Sequence, residues 1–219
     1  KDIACGDTID WLRFKESIVY HDLTPFVYSI FKDSLSFIPS EIVEFFKNNH
    51  YCALTRCEQI WQQFLPIVDN FEKANIPLLP LKGVAFLEDL YKNRFVRPMT
   101  DIDLFVREED LQKAEEIFSD LGYRKELHGL KEEYWRKNQY HITFYKKDEA
   151  KAPFVELHWT LDYKRGGRTI LPELWQRTRA INVENRIIKL LSLEDTLFCL
   201  ALHNRRLGKP LCLKNVYDG

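Results

Sequence analysis

The sequence lacks the features that would place a chain in a membrane, on a nucleic acid or around zinc. No apolar run approaches the roughly 18 residues a membrane span needs, and the first residues carry no long apolar core of a secretory signal. The five cysteines, Cys5, Cys52, Cys57, Cys199 and Cys212, are odd in number and scattered, without a Cys-x-x-Cys spacing. Neither they nor the six histidines fall at zinc-site intervals. That usage fits a reducing compartment, so the expected location is cytoplasmic. Charge of one sign is not in excess either. With 32 basic residues against 33 acidic ones there is no global field for a polyanion, and any such partner must meet a local patch. Internal repeats and low-complexity segments are missing. So are a Walker glycine-lysine loop and the kinase signatures, which ranks a kinase-type phosphotransferase last.

What is present is a chain of 219 residues, 45% hydrophobic and 14% aromatic, able to bury a substantial core as one domain or two small ones. Its first third reads as helical. Asp7 or Thr8 caps a helix through Ile9, Leu12, Ile18 and Val19, and Thr24-Pro25 starts another. Pro39-Ser40-Glu41 starts a third, and a fourth carries Ile60, Trp61, Phe64, Leu65, Val68 and Phe71 at helical spacing, kinked by Pro66 and ended by Asn75-Ile76-Pro77.

The pattern then changes to short strands alternating with helices. Leu78 to Leu81 reads as a buried strand, followed by the turn Lys82-Gly83 and a helix from Val84 to Tyr91. Strand, glycine and helix start can aim backbone N–H groups at an anion, with Lys82 adding a full charge. The plainer alternative is a tight turn beside a solvated lysine. After the Asn93-Arg94 loop comes Arg97-Pro98-Met99-Thr100-Asp101-Ile102-Asp103-Leu104-Phe105-Val106. In a strand, Asp101 and Asp103 share one face and Ile102, Leu104 and Val106 the other. Two carboxylates that close repel unless a cation lies between them, and the oxygen-seeking choice is Mg2+ or Mn2+. An Asp-x-Asp by itself is also ordinary turn chemistry. A helix follows from Arg107 to Leu121, ended by Gly122, then a strand from Tyr123 and a helical turn at Glu132 to Lys137. Tyr140 to Lys147 and Phe154 to Trp159 read as an antiparallel hairpin. Glu156 and His158 share a face of its second strand. Sheet pairing that brings Glu156 beside the two aspartates makes a three-acid site, with His158 as a hydrogen-bonded, half-buried residue orienting its neighbours.

The ordered set Leu81-Lys82-Gly83, the Arg97 to Val106 string, Leu121-Gly122-Tyr123 and Glu156-Leu157-His158-Trp159 resembles a poorly characterised bacterial nucleotidyltransferase family of the polymerase-β-like superfamily. The resemblance is strongest over residues 76–161. It implies an α+β fold, a mixed β-sheet flanked by helices, divided as a helical region 1–75, a nucleotidyltransferase core 76–163 and a helical region 164–219. It implies transfer of a nucleoside monophosphate from an NTP to an acceptor with release of pyrophosphate. Asp101, Asp103 and Glu156 would hold Mg2+ or Mn2+ and serve catalysis, and Lys82, Gly83 and Arg97 would bind the nucleotide. For Arg97 a fork on phosphate and a structural salt bridge are both open. Further candidates are His158, Asp195 and His203; Ser192-Leu193-Glu194-Asp195 is also a capping signature for the last long helix. The glycine-rich basic stretch Lys164 to Arg168 reads as a loop. The chain departs from the superfamily in having Lys82-Gly83 where Gly-Ser is usual, as some toxin-type members do, and Glu156 where Asp is commoner. The acceptor implied is open: a small molecule, a peptide, a protein or a tRNA end. The alternative reading is a catalytically silent nucleotide-binding or partner-binding module of the same fold.

Overall fold

The computed structural model describes residues 9–33, 37–91, 97–147, 149, 152–163, 171–207 and 212–218. The Asp7 or Thr8 cap, the Asn93-Arg94 loop and the 164–168 stretch lie outside them. Helix α1 (Trp11–Tyr20) is capped by Asp10, whose carboxylate accepts the Arg13 N–H at 3.0 Å. Helix α2 (Thr24–Phe31) carries its proline in the first turn, where the missing N–H costs nothing.

Helix α3 (Ser40–Lys73) joins what the sequence suggested were two helices into one, about 50 Å long by its residue count. Pro66 lies inside it, and the helix continues because Ile60, Phe64, Ile67, Val68 and Phe71 around the proline pack on the main core, while Ile42 and Phe46 at its start pack with Val27 of α2 in a separate cluster. That burial outweighs the hydrogen bond the proline removes. Asn75, at a φ of +54°, ends the helix as an αL cap, with Ile76 N–H bonded back to Phe71.

Strand β1 (Leu79–Pro80), helix α4 (Val84–Asp89), strand β2 (Asp101–Phe105), helix α5 (Leu111–Asp120), strand β3 (Tyr123–Glu126), helix α6 (Glu132–Asn138), and strands β4 (His141–Lys146) and β5 (Phe154–His158) follow in chain order. They build a five-stranded mixed sheet in the order β1-β2-β5-β4-β3, so the fold is α+β. Strands β4 and β5 are antiparallel, as expected of the hairpin, while β2 and β5 run parallel. Ile102, Leu104, Val155 and Leu157 face the main core, which includes Trp61, Phe64 and Phe71 of α3 and Phe118 of α5. The opposite face carries Asp101, Asp103 and Phe105. There Phe105 packs with Leu79, Leu81, Leu161, Leu174, Leu191 and Cys199 in a smaller apolar cluster.

The C-terminal part, expected to be helical, also contains a hairpin. Helix α7 (Leu171–Gln176) precedes β6 (Arg179–Val183) and β7 (Arg186–Leu190), which pair antiparallel, and helices α8 (Leu193–Leu207) and α9 (Leu213–Asp218) complete the chain. The hairpin turns on Glu184 and Asn185, both with positive φ (50° and 64°), the pattern of a type I′ turn. Its tip is pinned to α3 through Trp61 Nε1 donating to Glu184 at 3.0 Å and Arg186 forked onto Asp69 at 2.6 and 2.9 Å. No described helix is long and apolar enough to cross a membrane.

Candidate active site

The parallel register sets Asp103 directly beside Glu156, and Asp101 beside Phe154, on one face of the sheet. The antiparallel register of the next strand adds His141 opposite His158 and Thr143 opposite Glu156. Strand alternation therefore gathers residues separated by more than fifty positions onto one face.

Asp103 is the hub. Its Oδ1 lies 2.8 Å from Lys82 Nζ and 3.1 Å from His158 Nε2. His158 Nε2 is also 3.5 Å from Glu156 Oε2, and His141 Nε2 is 3.9 Å from Glu156 Oε1. Asp103 is 3% exposed and His158 2%, so His158 is fully buried rather than half-buried, and Lys82 is a buried charge rather than a solvated one. Glu156, 27% exposed at its side chain, opens to solvent. Asp101 accepts the Thr100 hydroxyl at 3.3 Å. Among the described residues, Asp103, Glu156 and His158 each offer an atom suited to a metal, all within 4.8 Å of one another.

The ionisation pattern follows from this geometry. Burial alone would raise the Asp103 carboxyl, but the Lys82 charge and the His158 hydrogen bond overcome it and hold it well below the ordinary range. Burial likewise opposes the charge on Lys82, where Asp103 and then Asp101 more than offset it and hold the ammonium above its ordinary value. On His158 burial acts downward, yet its hydrogen bonds to Asp103 and Glu156 win and raise it. Glu156 is lowered: burial acts upward, and the His158 hydrogen bond leads the groups that bring it down. Asp101 goes the other way, raised by burial and then by the negative charge of Asp103. Burial, followed by the His158 charge, takes His141 down to about 4, so this imidazole is neutral. Three carboxylates thus meet Lys82 and His158, and Asp101 is the acid whose charge burial and Asp103 disfavour, a penalty that a hard divalent cation would relieve.

The other expected residues fall in two groups. Gly83 adopts φ +51° and ψ −100°, angles that favour glycine, and a Cβ there would also press on Met99 Sδ at 3.3 Å. Arg97 does not join the acids. Its guanidinium is forked onto Asp218 of α9 and is 8% exposed. Asp195 accepts two bonds from Arg177 at 3.0 and 2.7 Å, and its backbone N–H bonds the Ser192 hydroxyl at 3.1 Å, the capping role its motif predicts. His203 faces the acids from α8, and burial, then the Lys82 charge, lowers it to about 4. The sequence reading passed over His141 and Tyr140. Tyr140 lies 5.7 Å from His158 by ring centroids, with the Arg206 guanidinium 4.4 Å over the Tyr140 ring. The alternation of His141 and Thr143 with Ile142 and Phe144 was the available signal.

Comparisons with known proteins agree with this architecture. The model of a family described as "Uncharacterised nucleotidyltransferase" matches residues 7–218, nearly the whole chain. No curated protein matches. Among solved structures, the chain is similar to the antibiotic-resistance factor ANT(2'')-Ia in its solution structure, with a TM-score of 0.50 and 16% identity over 76% of this chain and 83% of that one. The crystal structure of ANT(2'')-Ia with adenylyl-2''-tobramycin gives 0.48 at 16% identity, over 72% and 86%. The lincomycin-bound lincosamide antibiotic adenylyltransferase LnuA gives 0.45 at 19%, over 63% and 83%. At such identity the likeness at 0.50 shows the fold alone.

Proposed function

This chain belongs to that uncharacterised nucleotidyltransferase family, and from that premise we propose that it moves a nucleoside monophosphate from an NTP to an acceptor nucleophile at the Asp101, Asp103 and Glu156 cluster, releasing pyrophosphate. The observation that carries the reading is the parallel β2–β5 register, which sets Asp103 beside Glu156 while Lys82 reaches Asp103 at 2.8 Å. Asp101, Asp103 and Glu156 would hold Mg2+ or Mn2+, and a cation there would relieve the penalty on the Asp101 charge. When bound, the cation neutralises the phosphate charge that builds up during transfer.

The protein's own groups have separable roles. Lys82 brings a buried ammonium to the triphosphate, where low dielectric strengthens it, and the Gly83 turn lets backbone approach the same anion. Glu156, 27% exposed at its side chain, holds a carboxylate ready to accept the proton of an incoming nucleophile. His158 bridges Asp103 and Glu156 and fixes their separation, a positioning role. His141 stays neutral beside Glu156 and adds no competing charge.

The test is pyrophosphate release from each of ATP, GTP, CTP and UTP with Mg2+, in the presence of hydroxyl- and amine-bearing acceptor mixtures, for the native protein and for Asp101→Ala with Asp103→Ala. Release by the native chain alone supports transfer. Nucleotide binding without release for any acceptor class would favour the silent module.

A further inference from the structure

Arg97 stands where a nucleotide-binding arginine was expected, yet its donors are committed elsewhere. Nε reaches Asp218 Oδ1 at 3.0 Å, Nη2 reaches Oδ2 at 2.6 Å, and Nη1 points to the Pro98 carbonyl at 3.4 Å. Asp218 also accepts the Tyr91 hydroxyl at 2.7 Å. Asp218 is 6% exposed and Arg97 8%, so both charges are out of water and each satisfies the other. The small cavity left between α2, α9 and this segment is about 20 Å³.

Four parts of the chain meet at this arginine. The Cys57 thiol of α3 donates to the Arg97 carbonyl at 3.2 Å, and the guanidinium lies 5.4 Å over the Phe86 ring in α4. A Cβ on Gly83 would lie 3.9 Å from Arg97 Nη1 and 3.3 Å from Met99 Sδ, which measures how closely the segment presses on the turn. Three residues after Thr100, the strand delivers Asp103 to Lys82. Arg97 therefore borders the Gly83 turn and opens the segment that leads to the acids, while α9 supplies the counter-charge.

We propose that Arg97 and Asp218 form a buried latch by which α9 holds the Lys82-Gly83 turn in the geometry that receives the triphosphate, making both positioning residues of the nucleotide site. The proposal rests on the reading that this site takes an NTP. Direct phosphate binding by Arg97 would require the fork to leave Asp218 and strand a buried carboxylate. An ion pair that serves stability alone would be expected to behave like Arg186 and Asp69, which pin the hairpin to α3 and touch none of the site residues.

The experiment compares Asp218→Asn, Tyr91→Phe and, as the control pair, Asp69→Asn with the native protein. Thermal melts report stability, hydrogen exchange reports the amides of residues 82–87, and calorimetry reports affinity for the tightest of ATP, GTP, CTP and UTP with Mg2+. Asp218→Asn is expected to stay folded, to exchange faster at 82–87 and to lose at least about tenfold in affinity. Asp69→Asn is expected to melt lower with affinity and exchange at 82–87 unchanged. A folded Asp218→Asn protein with native exchange and affinity overturns the latch. If that variant does not fold, Tyr91→Phe, which removes one hydrogen bond from Asp218, carries the test; faster exchange at 82–87 supports the latch and native exchange overturns it. The exchange arm needs no nucleotide. A native protein that binds none of the four therefore defeats the nucleotide reading, while the latch stands or falls on exchange.

Discussion

Two buried charge clusters lie on either side of the Gly83 turn, and they are built to opposite rules. Around Asp218, one arginine and one tyrosine meet one carboxylate, the fork is bidentate and the group is closed to solvent. Around Asp103, three carboxylates surround Lys82 and His158, burial and Asp103 disfavour the charge on Asp101, and Glu156 opens outward. Burial by itself does not mark a site. A balanced and fully bonded cluster fixes the segments around it, whereas an acid-rich cluster is arranged for something that arrives.

The sharpest way to break that contrast is to remove the hub. Asp103→Asn is expected to lower pyrophosphate release by on the order of 10³, because the carboxylate shared by Lys82 and the acid site disappears. Near-native release from this variant, assayed at saturating NTP, would reduce Asp103 to a structural role. On the other side, Arg97→Ala leaves Asp218 buried without its counter-charge and is expected to cost about 3–5 kcal/mol in denaturant unfolding. A loss below about 1 kcal/mol would show that the pair is not the closed cluster described.

The two clusters also separate by pH. Asp103 and Glu156 have values depressed below the ordinary carboxylate range, so their contribution to stability is present above about pH 4 and fades as pH falls toward those depressed values. His158 is raised, so its contribution is complete below about pH 6.5 and is lost as pH climbs through its raised value. The metal-free protein should therefore lose melting temperature as pH rises above about 6.5 through the raised His158 value, and His158→Gln should flatten that limb. A native protein in chelator whose pH profile of melting temperature matches that of His158→Gln contradicts the His158 bridge. The smallest effect is expected for Glu156→Asp, which shortens reach by about 1.5 Å and restores the commoner acid; activity should stay within about tenfold. A loss as large as that of Asp103→Asn would mean that the β2–β5 spacing is tuned to glutamate.

The acids were readable in the sequence because strand alternation is local: Asp101 with Asp103, and Glu156 with His158, each follow from period-2 geometry. Their mutual placement needed only the pairing of two strands. The partner of Arg97 was not readable, since Asp218 lies 121 residues away and no periodicity links them. Helix α3 was read as two because its buried apolar positions lapse between Phe46 and Cys57, and packing at both ends, a tertiary fact, keeps it one helix. The β6–β7 hairpin was missed for a similar reason. Its turn uses Glu184-Asn185 rather than a glycine pair, and the ion pair and hydrogen bond that fix it come from Asp69 and Trp61 in α3. His141 was hidden because its role depends on lying opposite His158.

The most direct test of the account is calorimetric titration of ATP, GTP, CTP and UTP, each with and without Mg2+, into the native protein and into Asp101→Ala with Asp103→Ala. The account predicts that at least one nucleotide binds the native chain only with Mg2+ and fails to bind the folded double variant. Nucleotide binding that survives in the variant, or no binding of any nucleotide by the folded native protein, would contradict it.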